Sequence, residues 1–179
     1  MRLPFAARRP PRLPDDIAAA VRSDAGERPL AWADDGQGTT VVAGRHRLHV
    51  LRRGPDGTPE HVLDRPWHLV DSGTWVGEDT ALSITWVDRH PPTRLVLPEP
   101  GLLPEALRER VQASVVLAET VDLGGGRSAK VVVRRALATG ELTSQGVLGP
   151  GVRIDDPGVR EAVTAGLARV REQVGLDQR

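Results

Sequence analysis

From residue 29 onward, apolar and polar positions alternate along the chain with a period of two, the signature of strands with one buried face. The segments PLAWAD (29–34), TTVVAG (39–44), RLHVLRR (47–53), HVLDRPWHLV (61–70), ALSITWV (81–87) and TRLVLP (93–98) carry this pattern. In 61–70 the pleat puts Leu63, Trp67 and Leu69 on one face, with Pro66 marking an edge or a bulge. In 81–87 it aligns Leu82, Ile84 and Trp86. The connections DDGQG, GPDGTP and RHPP are short and rich in turn residues. They are too short for parallel crossovers, so the pattern predicts an antiparallel meander.

Elsewhere the period is helical. DDIAAAVR (15–22) predicts a short helix that Asp15 or Asp16 can cap. Pro104 suits the first position of a second helix, in which Leu107 and Val111 follow Leu103 on one stripe. Three more strands follow at 114–123, 129–137 and 142–148, joined by LGGGRS and ATGE turns. The last helix shows Asp156 as N-cap, Pro157 at its first position and a stripe of Val159, Val163, Leu167, Val170 and Val174 ending at Gly175. Ala162 and Gly166 flank that stripe and allow close approach to a sheet. Runs of strands punctuated by single helices predict an α+β fold built on antiparallel sheet, with a C-terminal amphipathic helix.

Composition narrows the function classes. The 179 residues include no Cys, which removes disulfides, thiolate metal sites and cysteine nucleophiles. Net charge is zero, so a general polyanion binder is disfavoured and no specific nucleic acid is expected. Of 24 basic residues only Lys130 is lysine; this arginine excess fits a high-GC, actinobacterial-type genome more than a mechanism. No apolar run reaches the roughly 18–20 residues of a membrane helix, and residues 1–14 hold Arg8, Arg9 and Arg12 among prolines with no signal-like apolar segment. That stretch is read as a flexible basic arm, and the cytoplasm is the expected compartment.

The segments LAWADDGQGTTVVAGRHRLHVL, PWHLVDSGTW and ALSITWVD resemble those of a family of actinobacterial proteins similar to bacterial PH-like or GRAM-like domains. The resemblance implies a curved antiparallel meander, a PH-like partial barrel capped by a helix. It covers a single α+β domain over 15–176, with the PH-like part at about 27–113 and a three-strand plus helix extension at about 114–176. Two departures stand out. Inositol-lipid-binding PH domains usually carry Lys or Arg in the first hairpin loop, whereas here the loop has Asp34 and Asp35. The second departure is the extension itself.

Candidate chemistry is sparse. Trp67 and Trp86 read as core, because a chain with no Tyr and one Phe has few other large residues to fill it. Trp75, in the turn-rich DSGTWVGED, lies outside firm alternation, and with His68 it forms the pair of interest. Asp71, Ser72 and His68 lack a nucleophile-elbow context for hydrolysis. His46 and His49, three apart in a strand, point to opposite faces, and no metal or cofactor is expected. GGGRSAK (124–130) lacks phosphate-loop spacing and reads as a hairpin. The leading expectation is a non-enzymatic protein-interaction or scaffold module with a protein partner; a homodimer through the last helix stays open. The alternatives are a small-ligand carrier or enzyme with a pocket in the curved sheet, and a peripheral binder of anionic lipid through Arg8, Arg9 and Arg12.

Overall fold

A computed structural model of the chain describes residues 12–23, 26–88 and 90–176. The element order is α1 (Asp15–Val21), β1 (Pro29–Asp34), β2 (Thr39–Gly44), β3 (Arg47–Arg53), β4 (Pro59–Pro66), a single 3-10 turn (Trp67–Leu69), β5 (Val70–Val76), β6 (Ala81–Trp86), β7 (Thr93–Val96), α2 (Leu103–Ser114), β8 (Val115–Asp122), β9 (Ser128–Arg135), β10 (Leu142–Leu148) and α3 (Val159–Gln173). The fold is α+β, with three antiparallel sheets ordered β1-β2-β3-β4, β5-β6-β7 and β10-β9-β8.

The first two sheets share one core. Ala31, Val41, Leu48 and Val50 from the first meet Val70, Leu82 and Ile84 from the second, and Leu103 and Leu107 of α2 close it. Trp67 is wholly buried and Trp86 is 7% exposed, so both fill this core, Trp86 from a strand as the alternation suggests and Trp67 from the 3-10 turn instead of a strand. Trp67 also donates its indole N–H to the Gly44 carbonyl at 3.0 Å. The outer face of the first sheet carries Val42 and Leu51, which α1 covers with Ile17 and Val21. The third sheet packs Val121, Val131 and Val133 against Val159, Val163 and Val170 of α3.

Seven strands precede α2, where the pattern predicts six. Pro66 ends β4, the chain makes one 3-10 turn, and Val70–Val76 forms a separate strand paired with β6. The expected 61–70 strand is therefore divided at Trp67. Asp71-Ser72-Gly73 is extended because the register with Trp86, Thr85 and Ile84 outweighs its turn-forming tendency. The C-terminal helix starts at Val159, two residues beyond Pro157, with Gly158 in the left-handed region at φ 75°. Asp156 instead accepts from the Arg153 N–H and the Arg127 guanidinium. Gly124, Gly125 and Gly126 all have positive φ and turn the β8–β9 hairpin.

Candidate functional site

The most constrained polar group sits on the outer face of β3, the face that also carries Leu51. His49 is 1% exposed, and neither of its ring nitrogens has a hydrogen-bond partner. Its Nδ1 lies 3.4 Å from Asp64 Oδ1, and its Nε2 lies 3.8 Å from Glu27 Oε2. The His61 ring stands 5.4 Å from the His49 ring, centroid to centroid.

A register irregularity on β4 assembles this group. His49 pairs with Asp64 and Val50 with Leu63, but Leu51 pairs with His61, which leaves Val62 as an extra residue. Residues 61 and 64 would face opposite ways in a regular strand. The bulge reverses the parity, so both come to the face that carries His49 and Leu51. Val62 is pushed outward and is 53% exposed. Donor atoms of His49, His61 and Asp64 then lie within 4.8 Å of one another.

Glu27 completes the group from the segment before β1. Its carboxylate accepts from the N–H groups of His46 and Arg28. Gly44 makes room for it, since a Cβ there would sit 2.6 Å from Glu27 Oε1. Burial pushes this carboxyl upward, but the His49 ring and the two N–H donors outweigh it and hold its pKa below the ordinary carboxylate value. Arg47 flanks Asp64, with its Nε 2.5 Å from Asp64 Oδ1. Spacing along the sequence pairs His49 of β3 only with His46, which lies just before that strand. The partners of His49 come from across the ladder, through a bulge that no periodicity announces.

A second feature is a groove of ≈ 540 Å³ along β1. Leu30, Trp32 and Asp34 line one wall, and Pro98, Glu99 and Leu102 the other. Among the described residues β1 is paired only with β2, so its other edge has no strand partner there. Leu30 is 42% and Leu102 66% exposed. Exposed Arg28 and Arg45 stand at the N-terminal end of this strand, with exposed Asp34 and Glu99 at the other.

The third feature is a buried polar junction. Arg134 on β9 is fully buried, donates to Ser114 Oγ at 3.2 Å and stands 3.7 Å from Asp71. His68 Nδ1, Gln145 Oε1, Thr143 Oγ1 and two Arg134 nitrogens are buried there without hydrogen-bond partners. Gln145 Nε2 reaches the His68 carbonyl at 3.5 Å. Desolvation and the neighbouring Arg134 charge lower the His68 pKa below 6.5, against an opposing pull from Glu141.

The residues singled out from sequence fall in different places. Trp75 is on β5, packed against the first core and beside Leu107 and Val111 of α2. His68 belongs to the polar junction, and among the described residues no hydrogen bond or ring contact links it to Trp75. Arg12 is exposed and pairs with Asp15 at 2.9 Å; Arg8 and Arg9 lie outside the described residues. Ser72 hydrogen-bonds Thr85 and Asp71 faces Arg134, so Ser72, Asp71 and His68 form no relay. In the first hairpin loop Asp34 and Asp35 accept from the backbone N–H groups of Gly36, Gln37 and Thr39. Among the described residues, no helix is long and apolar enough to cross a membrane. The chain matches no protein-family model, and no curated protein is significantly similar to it.

Proposed function

We propose that this protein is a non-enzymatic interaction module that takes an extended polypeptide segment along the edge of β1. One observation carries the reading: the unpaired edge of β1 borders an apolar groove whose walls expose Leu30 and Leu102. A strand edge offers backbone donors and acceptors in a row, and alternate side chains of an added strand fill the pockets beside it. Charge polarity selects the occupant. Arg28 and Arg45 suit an acidic residue at one end of the segment, and Asp34 and Glu99 suit a basic residue at the other.

The PH-like reading of residues 27–113 belongs to the same proposal. Its support is that a four-stranded and a three-stranded meander share one core closed by α2, as a single bent sheet divided at the Trp67 turn would. On this reading β8, β9, β10 and α3 form the extension. Binding of inositol phosphates is disfavoured, since the Asp34–Gly38 loop presents carboxylates. The concave side of the bent sheet is filled by Trp67, Leu48 and Ile84, which favours a surface partner over a ligand held inside.

The test is selection from a library of displayed peptides, with Leu30→Lys/Leu102→Asp as the counter-target. Enriched sequences should hold alternating apolar residues between charges of opposite sign, and should bind the double variant at least roughly tenfold more weakly, the loss of about 1.4 kcal/mol expected when an anchor is removed. Amide shifts on binding should map to 29–34 and 98–102. Peptides that bind the double variant equally well, or whose shifts map elsewhere, would overturn the reading.

A further inference from the structure

We infer that His49, His61 and Asp64 form a site for a divalent transition-metal ion, with Glu27 as the residue that orients His49. The residue types suit such an ion: two imidazoles and one carboxylate are the donors that zinc takes when a fourth position is left to water or another ligand. One donor pair already has the required spacing, and the third donor lies within 4.8 Å of both. Two donors at about 2.0–2.1 Å in a tetrahedral shell stand about 3.4 Å apart, and His49 Nδ1 lies 3.4 Å from Asp64 Oδ1.

Three further observations converge on the same atoms. First, His49 is buried and neither ring nitrogen makes a well-formed hydrogen bond, although each stands at ion-pair distance from a carboxylate that could share it with a metal ion. Second, the two imidazole nitrogens face different carboxylates. A metal on Nδ1 needs the ring proton on Nε2, and Glu27, 3.8 Å from Nε2, is placed to accept it, while Nδ1 faces Asp64. A carboxylate behind a ligating histidine is how such rings are held in proteins that bind zinc. Third, the bulge at Val62 is what brings His61 and Asp64 to the same face, and bulges recur where a side chain must be re-aimed.

Charge balance is favourable. Glu27 and Asp64 contribute two negative charges, and Arg47, against Asp64 Oδ1, compensates one. A divalent ion shares Asp64 Oδ1, the oxygen 3.4 Å from His49 Nδ1, with Arg47. The exposure of Asp64 and His61 supplies a path for entry, whereas His49 and Glu27 are buried.

The experiment uses the full chain without a purification tag, made metal-free by dialysis. Zn²⁺ is titrated by calorimetry, and Co²⁺ by the visible absorption that intensifies in four-coordinate nitrogen and oxygen sites. The native chain should bind one equivalent of Zn²⁺, and His90→Ala should bind equally well. His61→Ala and Asp64→Asn, both on a partly exposed strand, should keep their circular dichroism and lose affinity by at least tenfold. Glu27→Gln should keep the stoichiometry and weaken Zn²⁺ by roughly 10–100-fold. Ring ¹⁵N resonances of His49 and His61 should both shift on adding Zn²⁺. Absence of saturable binding to the native chain would overturn the site, as would affinity unchanged in both His61→Ala and Asp64→Asn.

Discussion

At the scale of single residues, burial decides what each polar group can do. His68 illustrates this. Its ring is partly desolvated and faces Arg134 and, at longer range, Arg47, with Glu141 as the opposing charge, so its folded pKa is held below the ordinary 6.5. Between the folded and unfolded pKa values the unfolded chain binds more protons, so stability is complete above about pH 6.5 and falls as pH drops through that window. Replacing His68 with Asn should flatten this part of the stability profile, as measured by urea unfolding from pH 7.5 down to pH 5. A ring NMR titration of the native protein should give a midpoint below 6.5; one at or above it would refute the assignment. Large apolar residues in a chain poor in aromatics are legible as core. Trp67 and Trp86 were legible as core because a Tyr-free chain has few other large residues to spend there. His49 was not legible, because its partners His61, Asp64 and Glu27 come from other segments and depend on a bulge. Nor was Arg134, since a buried arginine in VVVRRAL looks no different from its exposed neighbour Arg135.

At the scale of elements, two close approaches set how helices meet sheets. A Cβ on Gly73 would lie 2.2 Å from Leu107 Cδ2, so the glycine lets α2 settle on β5. On the other side, a Cβ on Gly166 would lie 2.7 Å from Val121 and 3.2 Å from Val131, which brings α3 onto the third sheet. The role of Gly166 was visible in the helical stripe. That of Gly73 was hidden, because Asp-Ser-Gly is a strong turn signal and only the register with β6 makes it a strand. Gly73→Ala should overpack the contact with a leucine that is only 2% exposed, at a cost of about 1–3 kcal/mol in urea unfolding. A cost within the roughly 0.5 kcal/mol typical of surface changes would show that α2 does not depend on this approach. The same logic explains why most strand boundaries were readable and the 61–76 region was not. Hairpins marked by glycine and proline have local causes, whereas the division at Trp67 follows from burying the indole and pairing its N–H with Gly44.

For the whole molecule, the question is what ties the third sheet to the rest. One face of that sheet packs on α3; the opposite face presents Arg134, Thr143 and Gln145 to the Trp67–Leu69 turn, Asp71 and the end of α2. The joint thus holds several under-satisfied polar groups beside the buried Val132, unlike the apolar cores on either side. Desolvation lowers the Arg134 pKa, and Asp71 is the charge that opposes this. Removing one partner of a buried pair leaves the other uncompensated, and the cost is largest when the charge left behind is the more buried one, whereas replacing both by apolar side chains of similar size is often neutral or stabilising. Asp71→Ala should therefore cost about 1–3 kcal/mol, less than a wholly buried pair because the Asp71 side chain is 23% exposed. Arg134→Met alone should cost less, although it gives up the bond to Ser114. The decisive measurement is the sign of Arg134→Met in the Asp71→Ala background. If the charge is held in place only by Asp71, the second substitution restores stability. If the guanidinium anchors the sheet through Ser114 and neighbouring polar groups, the double variant unfolds more easily than either single one, and the joint is a specific lock between the two cores.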